Sequence, residues 1–282
     1  MADLKEAALR HSQHYLNRLR TLGEQYLTGK DVSAEAITDL ETDWHQIETG
    51  ANYVISNPTE GRARTMCSGY SAAAPSLLGL RQVAADRIRW LEAALAASRA
   101  IPVPLAEATH LGNLGVTFED LGLYRESVEH LEAALEIFRR LGEKQKESVY
   151  LGQLGLANIG LADYDTAIEQ LETALGLSYE IQDESIITQH LGNLGLAHGY
   201  VGRYDEALKL HHQALELSRR VGNKRGEARD LGNIGVVYYG LSQYDEARSY
   251  FEQALAISRE IKDVYGEALD LGNLGEAYRQ LE

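Results

Sequence analysis

Nine histidines and a single cysteine in 282 residues are the first side chains to test for metal chemistry. A zinc or copper site needs three or four nitrogen, sulfur or carboxylate ligands converging from compatible spacings. His11 and His14 stand three apart near the N-terminus, and His211 and His212 are adjacent, so they point in different directions on a helix. His190 and His198 lie eight apart with no cysteine or carboxylate cluster beside them. None of these closes a ligand set, so no metal and no cofactor is expected, and the histidines read as packed or solvated. Nucleophilic and hydrolytic signatures are equally missing: there is no nucleophile elbow, no HExxH and no GxxxxGK[ST] loop, since Gly142-Glu143-Lys144 lacks both the spacing and the hydroxyl residue. No residue is expected to be catalytic.

The side chains that can recognise something form a ladder: Asn113, Gln153, Asn193, Asn233 and Asn273, at forty-residue intervals. A carboxamide both donates and accepts, so such a ladder suits the backbone of an extended peptide; it equally suits a bond from each unit to the next. Spacings of three and four place Leu156, Ile159, Leu196, Tyr200, Arg229, Val236 and Tyr239 on the same helix face. Those apolar members exceed what a solvated face needs, which marks an interaction surface. The expected groove is therefore Asn113, Gln153, Leu156, Ile159, Asn193, Leu196, Tyr200, Arg229, Asn233, Val236, Tyr239 and Asn273, with glycines at 112, 152, 192, 232 and 272 leaving its floor open. Its occupant is expected to be a protein or peptide with an amphipathic or apolar segment. Burial of the same residues by tight stacking of the units is the competing reading.

The elements that position this face repeat. LGNLG begins at Leu111, Leu191 and Leu271, LGQLG at Leu151 and LGNIG at Leu231; Tyr124, Tyr164, Tyr204 and Tyr244 follow in register, then Ala-Leu pairs at 134, 174, 214 and 254. Each unit reads as two helices. Helix A, about 107–121 in the first unit, carries Leu111, Leu114, Gly115 and Phe118 on one stripe; helix B, about 124–141, carries Val128, Leu131, Leu135 and Phe138. Neither stripe can be buried alone, so units must stack. The glycines at 115, 155, 195, 235 and 275 let helix B approach, with Ser127, Ala167, Ala207 and Ala247 as the matching small surface.

Leu-Gly in helix A, the aromatic that follows, and the small and Ala-Leu positions of helix B resemble the tetratricopeptide repeat, over residues 105–282. The forty-residue unit resembles the longer variety of animal G-protein-signalling modulators and bacterial signalling ATPases. The resemblance implies an all-α, right-handed solenoid of antiparallel helix pairs that recognises proteins or peptides in a concave groove without catalysis. Asn158 and His198 depart from the aromatic position held by Phe118, Tyr238 and Tyr278.

Leu91 to Leu95 repeats Leu131 to Leu135 forty residues earlier, so 83–99 reads as a helix B and 66–79 as a degenerate helix A interrupted by Pro75. Two amphipathic helices, about 3–28 and 34–56, precede them. Residues 1–104 thus form an irregular helical region, and 105–282 four regular units plus a terminal half-repeat. HSQHYLNRL, LETDWHQIETGANYV and DRIRWLEAAL resemble the segment that joins ATPase module to sensor arm in bacterial STAND-type (NB-ARC-like) ATPases. That resemblance implies a ligand-sensing or autoinhibitory arm whose ATPase module lies outside this chain. A free-standing adaptor and a homo-oligomeric assembly module are the alternatives. The initial Met-Ala and the final Leu281-Glu282, after a helix A, read as the ends of an excised fragment.

Charge and apolar content limit the partners further. The net charge is −15, and residues 105–282 hold 16 Lys+Arg against 30 Asp+Glu, a net of −14. Such a surface repels phosphate backbones, so no nucleic-acid partner is expected. No run of about 18 apolar residues exists to span a membrane, no signal-peptide pattern opens the chain, and a lone Cys67 cannot form an internal disulfide. No membrane partner is expected, and the cytoplasm is the expected location.

Overall fold

The computed structural model describes residues 2–27, 31–73, 78 and 82–281. Every element among them is a helix, and the chain divides into two compact units, Met1–Gly142 and Glu143–Glu282.

The first unit holds α1 (Ala2–Leu27), α2 (Asp31–Ser56), α3 (Gly61–Ala73), α4 (Ala84–Ala100), α5 (Pro104–Asp120) and α6 (Tyr124–Leu141). The degenerate helix A expected over 66–79 begins earlier, at Gly61; its Pro75 and residues 74–77 and 79 lie outside the described residues. Pro104 sits in the first turn of α5, where a missing N–H costs no hydrogen bond. The amphipathic stripes of α1 to α4 meet in one core of Leu16, Leu19, Leu40, Ile47, Tyr70 and Trp90. Trp44 stacks on Trp90 with centroids 6.2 Å apart. The Tyr70 hydroxyl donates to the Ser12 carbonyl at 2.7 Å, so this buried polar group is satisfied. Cys67 is buried there, and desolvation pushes its thiol up to about 11, which leaves it unreactive.

The second unit holds α7 (Lys144–Gly160), α8 (Tyr164–Ile181), α9 (Glu184–Tyr200), α10 (Tyr204–Arg220), α11 (Lys224–Gly240), α12 (Tyr244–Glu260) and α13 (Val264–Leu281). Each helix A ends in the same turn. Backbone N–H groups at Asp163, Arg203 and Gln243 bond the carbonyls of Asn158, His198 and Tyr238 five residues back, at 2.9 Å each. This closure needs a left-handed residue just before it. Gly202 takes that position at φ +76°, but Ala162 and Ser242 take it at φ +60°. A Cβ in this region is strained by about 1 kcal/mol. Ala162→Gly is therefore expected to raise stability by up to about 1 kcal/mol, read as a later urea midpoint with unchanged circular dichroism; an earlier midpoint would contradict the strain.

The glycines of the helix A motif do not form one uniform surface. A Cβ at Gly155, Gly195 or Gly235 would lie 2.6–2.7 Å from the side chain sixteen residues on, which is Leu171, His211 or Phe251. Those large helix B residues, more than the small positions at 167, 207 and 247, are what the glycines admit. The earlier glycine is an open floor only at Gly272, which is exposed with nothing within 4 Å of a Cβ. Gly152 is buried against the His190 ring, and Gly192 and Gly232 are buried with Asp230 and Asp270 within 4 Å.

Those partners belong to one buried polar position that recurs every forty residues. His110 bonds the Ser68 hydroxyl at 2.8 Å in the first unit, and His190 bonds Ser148 at 3.0 Å in the second. Asp230 and Asp270 instead accept from Ser218 and Ser258 at 2.8 and 2.7 Å. Either way a hydroxyl satisfies a group that stacking has removed from water.

Candidate functional site

Along helix A of the second unit, burial follows the pattern that the spacing predicts. Leu151, Leu154 and Ala157 of α7, Leu191, Leu194 and Ala197 of α9, and Leu231, Ile234 and Val237 of α11 are buried. Between them Gln153, Leu156, Asn193, Leu196, Asn233 and Tyr239 are half-buried. Tyr200 and Val236 are open, at 57% and 47% exposed. Helix stacking therefore leaves the predicted face partly uncovered on three successive helices.

Five of the predicted residues converge. Leu196 and Tyr200 of α9 meet Asn233, Val236 and Tyr239 of α11 around a cavity of about 240 Å³, with Tyr204 and His211 of α10 closing it. Tyr200 is held by stacking on Tyr164, with centroids 5.5 Å apart and planes 12° from parallel. Tyr239 is held by an edge contact with Tyr244 at 5.3 Å and by donating its hydroxyl to Glu276 Oε1 at 2.9 Å. The walls are thus fixed aromatic surfaces, which bind at low entropic cost.

The remaining predicted residues lie elsewhere. Ile159 is half-buried on α7, where it packs against the cluster of Ile168, Leu171, Leu194 and Ala197. Arg229 is drawn back to the buried Asp230 carboxylate at 3.3 Å. Gln153, Leu156 and Asn193 continue the open face on α7 and α9, and Asn273 is half-buried on α13. Asn113 belongs to the first unit, where it lines a separate cavity of about 390 Å³ with Trp90, Gln82 and the Arg87–Asp120 ion pair.

His211 is the residue that the spacing argument left as merely packed or solvated. It is 1% exposed, its Nδ1 has no hydrogen-bond partner, and among the described residues the ring forms no hydrogen bond. Burial, aided by the Arg229 charge, lowers its pKa to about 4, so the imidazole is neutral at pH 7. Among the described residues no three His, Cys, Asp or Glu side chains are placed to hold a metal ion, and no helix is long and apolar enough to cross a membrane.

The model of the tetratricopeptide repeat matches residues 105–180, 186–260 and 231–282. The chain belongs to the tetratricopeptide repeat family. Tetratricopeptide units are protein-interaction scaffolds, generally without catalysis of their own. No curated protein matches the sequence. Among solved structures, a Rap protein complexed with Competence and Sporulation Factor is similar at 13% identity and a TM-score of 0.65, over 97% of this chain and 87% of that one. A STAND protein with a tetratricopeptide repeat sensor from Pyrococcus horikoshii is similar at 15% identity and a TM-score of 0.64, over 97% of this chain and 43% of that one. BtubC from P. vanneervenii is similar at 20% identity and a TM-score of 0.60, over 71% and 85% of the two chains. These likenesses concern the fold. In tetratricopeptide terms, the departure at Asn158 is absorbed locally. Asn158 donates to the Gln170 side chain at 2.8 Å, where Tyr238 instead stacks on Tyr250 at 5.3 Å.

Proposed function

We propose that the chain is a non-catalytic recognition arm that binds a peptide segment of a partner along the α7–α9–α11 face of its second unit. The observation that carries this reading is the cavity where Leu196, Tyr200, Asn233, Val236 and Tyr239 converge. Its apolar and aromatic walls supply affinity, and the amides of Gln153, Asn193, Asn233 and Asn273 along the same face supply backbone hydrogen bonds. The acidic surface disfavours nucleic acid as the partner. We further infer that the arm serves a STAND-type signalling ATPase in the cytoplasm, as its ligand sensor or autoinhibitory element. The N-terminal segments that resemble that junction support this, as does the likeness to the tetratricopeptide sensor protein of Pyrococcus horikoshii. A P-loop module encoded directly upstream in the same reading frame decides for the sensor arm; a free-standing gene decides for the adaptor.

The groove is tested by selecting a randomised peptide library on the chain. Leu196→Glu is expected to weaken binding of the selected peptides at least about tenfold, because a carboxylate would have to be buried against them, while helical content holds. Asn193→Ala with Asn233→Ala is expected to weaken binding with an unchanged melting temperature. A sharp fall in melting temperature would show that these residues hold the repeats together instead.

A further inference from the structure

Two residues around the α9–α11 cavity break the rule of the repeat. At the helix B position beneath the packing glycine, the other units place Leu131, Leu171 and Phe251, all buried and apolar; this unit places His211. At the position closing helix A, the other units place Glu119, Ile159 and Tyr239; this unit places Gly199. A Cβ at Gly199 would meet nothing within 4 Å, so the missing side chain is what leaves the space open. An enclosed imidazole without a partner destabilises the fold relative to leucine. Two local departures that converge on one cavity, one of them unfavourable in the free chain, mark a site built for a ligand.

We propose that this cavity takes the side chain of a tyrosine from a bound peptide, with His211 reading its hydroxyl. The inference rests on the reading of this face as a peptide groove. A volume of about 240 Å³ is below the range of drug-sized pockets and suits one large side chain. Leu196, Val236 and the rings of Tyr200 and Tyr239 enclose an aromatic ring. None of the lining residues is Asp, Glu, Lys or Arg, and the imidazole is neutral, so the lining offers a charged occupant no directly contacting counter-charge. His211 and Asn233 are the polar side chains at the cavity besides its tyrosines. Nδ1 of His211 is enclosed, so Nε2 is the ring nitrogen left to a ligand; an unprotonated Nε2 accepts from the phenol O–H, and a protonated one donates to the phenol oxygen. Phenylalanine in the same place would leave that nitrogen unpaired.

The test selects a randomised peptide library on the full chain, on His211→Leu, which installs the residue found at 131 and 171, and on Gly199→Ile, which installs the residue found at 159. Circular dichroism confirms that each variant is folded. The unmodified chain is expected to fix tyrosine at one peptide position and to bind that peptide about tenfold more tightly than its phenylalanine counterpart. His211→Leu is expected to lose the preference while still binding, and Gly199→Ile to lose the anchored peptide altogether. Fixation of phenylalanine, leucine or a charged residue on the unmodified chain overturns the tyrosine assignment. A tyrosine preference that survives His211→Leu overturns the role of His211. Both results leave the groove standing, whereas a library that yields no peptide at all on the unmodified chain overturns the groove itself.

Discussion

Gly235→Ala is expected to cost about 2 kcal/mol of stability, while Gly232→Ala, three residues earlier in the same helix, is expected to add up to about 1 kcal/mol. Intrinsic helix propensity favours alanine equally at both places, so the difference must come from what the new methyl meets. At Gly235 it meets the Phe251 ring, with Cε1 at 2.6 Å and Cδ1 at 2.7 Å, and that ring is buried among Ala247 and Ala277 and cannot withdraw. Relieving the overlap requires α12 to move off α11 or the ring to leave its rotamer. At Gly232 the nearest atom is Asp270 Oδ1 at 3.5 Å, an ordinary contact. Urea unfolding followed by circular dichroism reads both effects as opposite shifts of the midpoint. Shifts of the same sign would sink the claim that in α11 the second glycine of the motif, and not the first, carries the close approach of the helices. The same reasoning ranks Gly155, whose methyl would lie 2.6 Å from Leu171 Cγ, with Gly235.

That contrast also explains what the sequence disclosed and what it withheld. The forty-residue spacing of Leu-Gly, Tyr and Ala-Leu was sufficient for the helix pairs, because each stripe has one way to be buried when identical units stack. It made α5 through α13 legible to within a few residues. The turn after helix A was only half legible. Gly202 announces a left-handed residue, but Ala162 and Ser242 adopt the same conformation because the repeat imposes it on them. Spacing alone placed Leu196, Tyr200, Asn233, Val236 and Tyr239 on one face, and these five line one cavity, since exposure between buried neighbours follows from helix geometry. What spacing does not show is which of them converge across two helices and which, like Ile159, also pack on a neighbouring cluster. His211 and Gly199 belong to no short motif that carries chemistry. Their signal lies down the columns of the repeat, where one unit differs from its siblings.

Acidification from pH 6.5 to pH 5 is expected to remove roughly 3 kcal/mol of stability, through histidines that the fold holds neutral. Desolvation lowers His110, His190 and His211 to about 4 from an ordinary value near 6.5. Above pH 6.5 each is neutral in both states and costs nothing. Between 6.5 and about 4 the unfolded chain binds the proton and the folded chain does not, so stability falls by about 1.4 kcal/mol per pH unit for each histidine. Glu119 acts the other way. Burial raises it to about 7, so the folded state holds a proton that the unfolded state releases, which offsets about one histidine over this range. Asp230 and Asp270, raised by burial, act in the same direction as Glu119. His211→Leu isolates one contribution, because leucine fills the same position in the sibling units. Its stability is expected to fall about 2 kcal/mol less than that of the unmodified chain between pH 6.5 and pH 5. Equal losses would mean that the His211 ring takes up its proton in the folded state as readily as in water, and so is not the desolvated, neutral group on which tyrosine recognition depends.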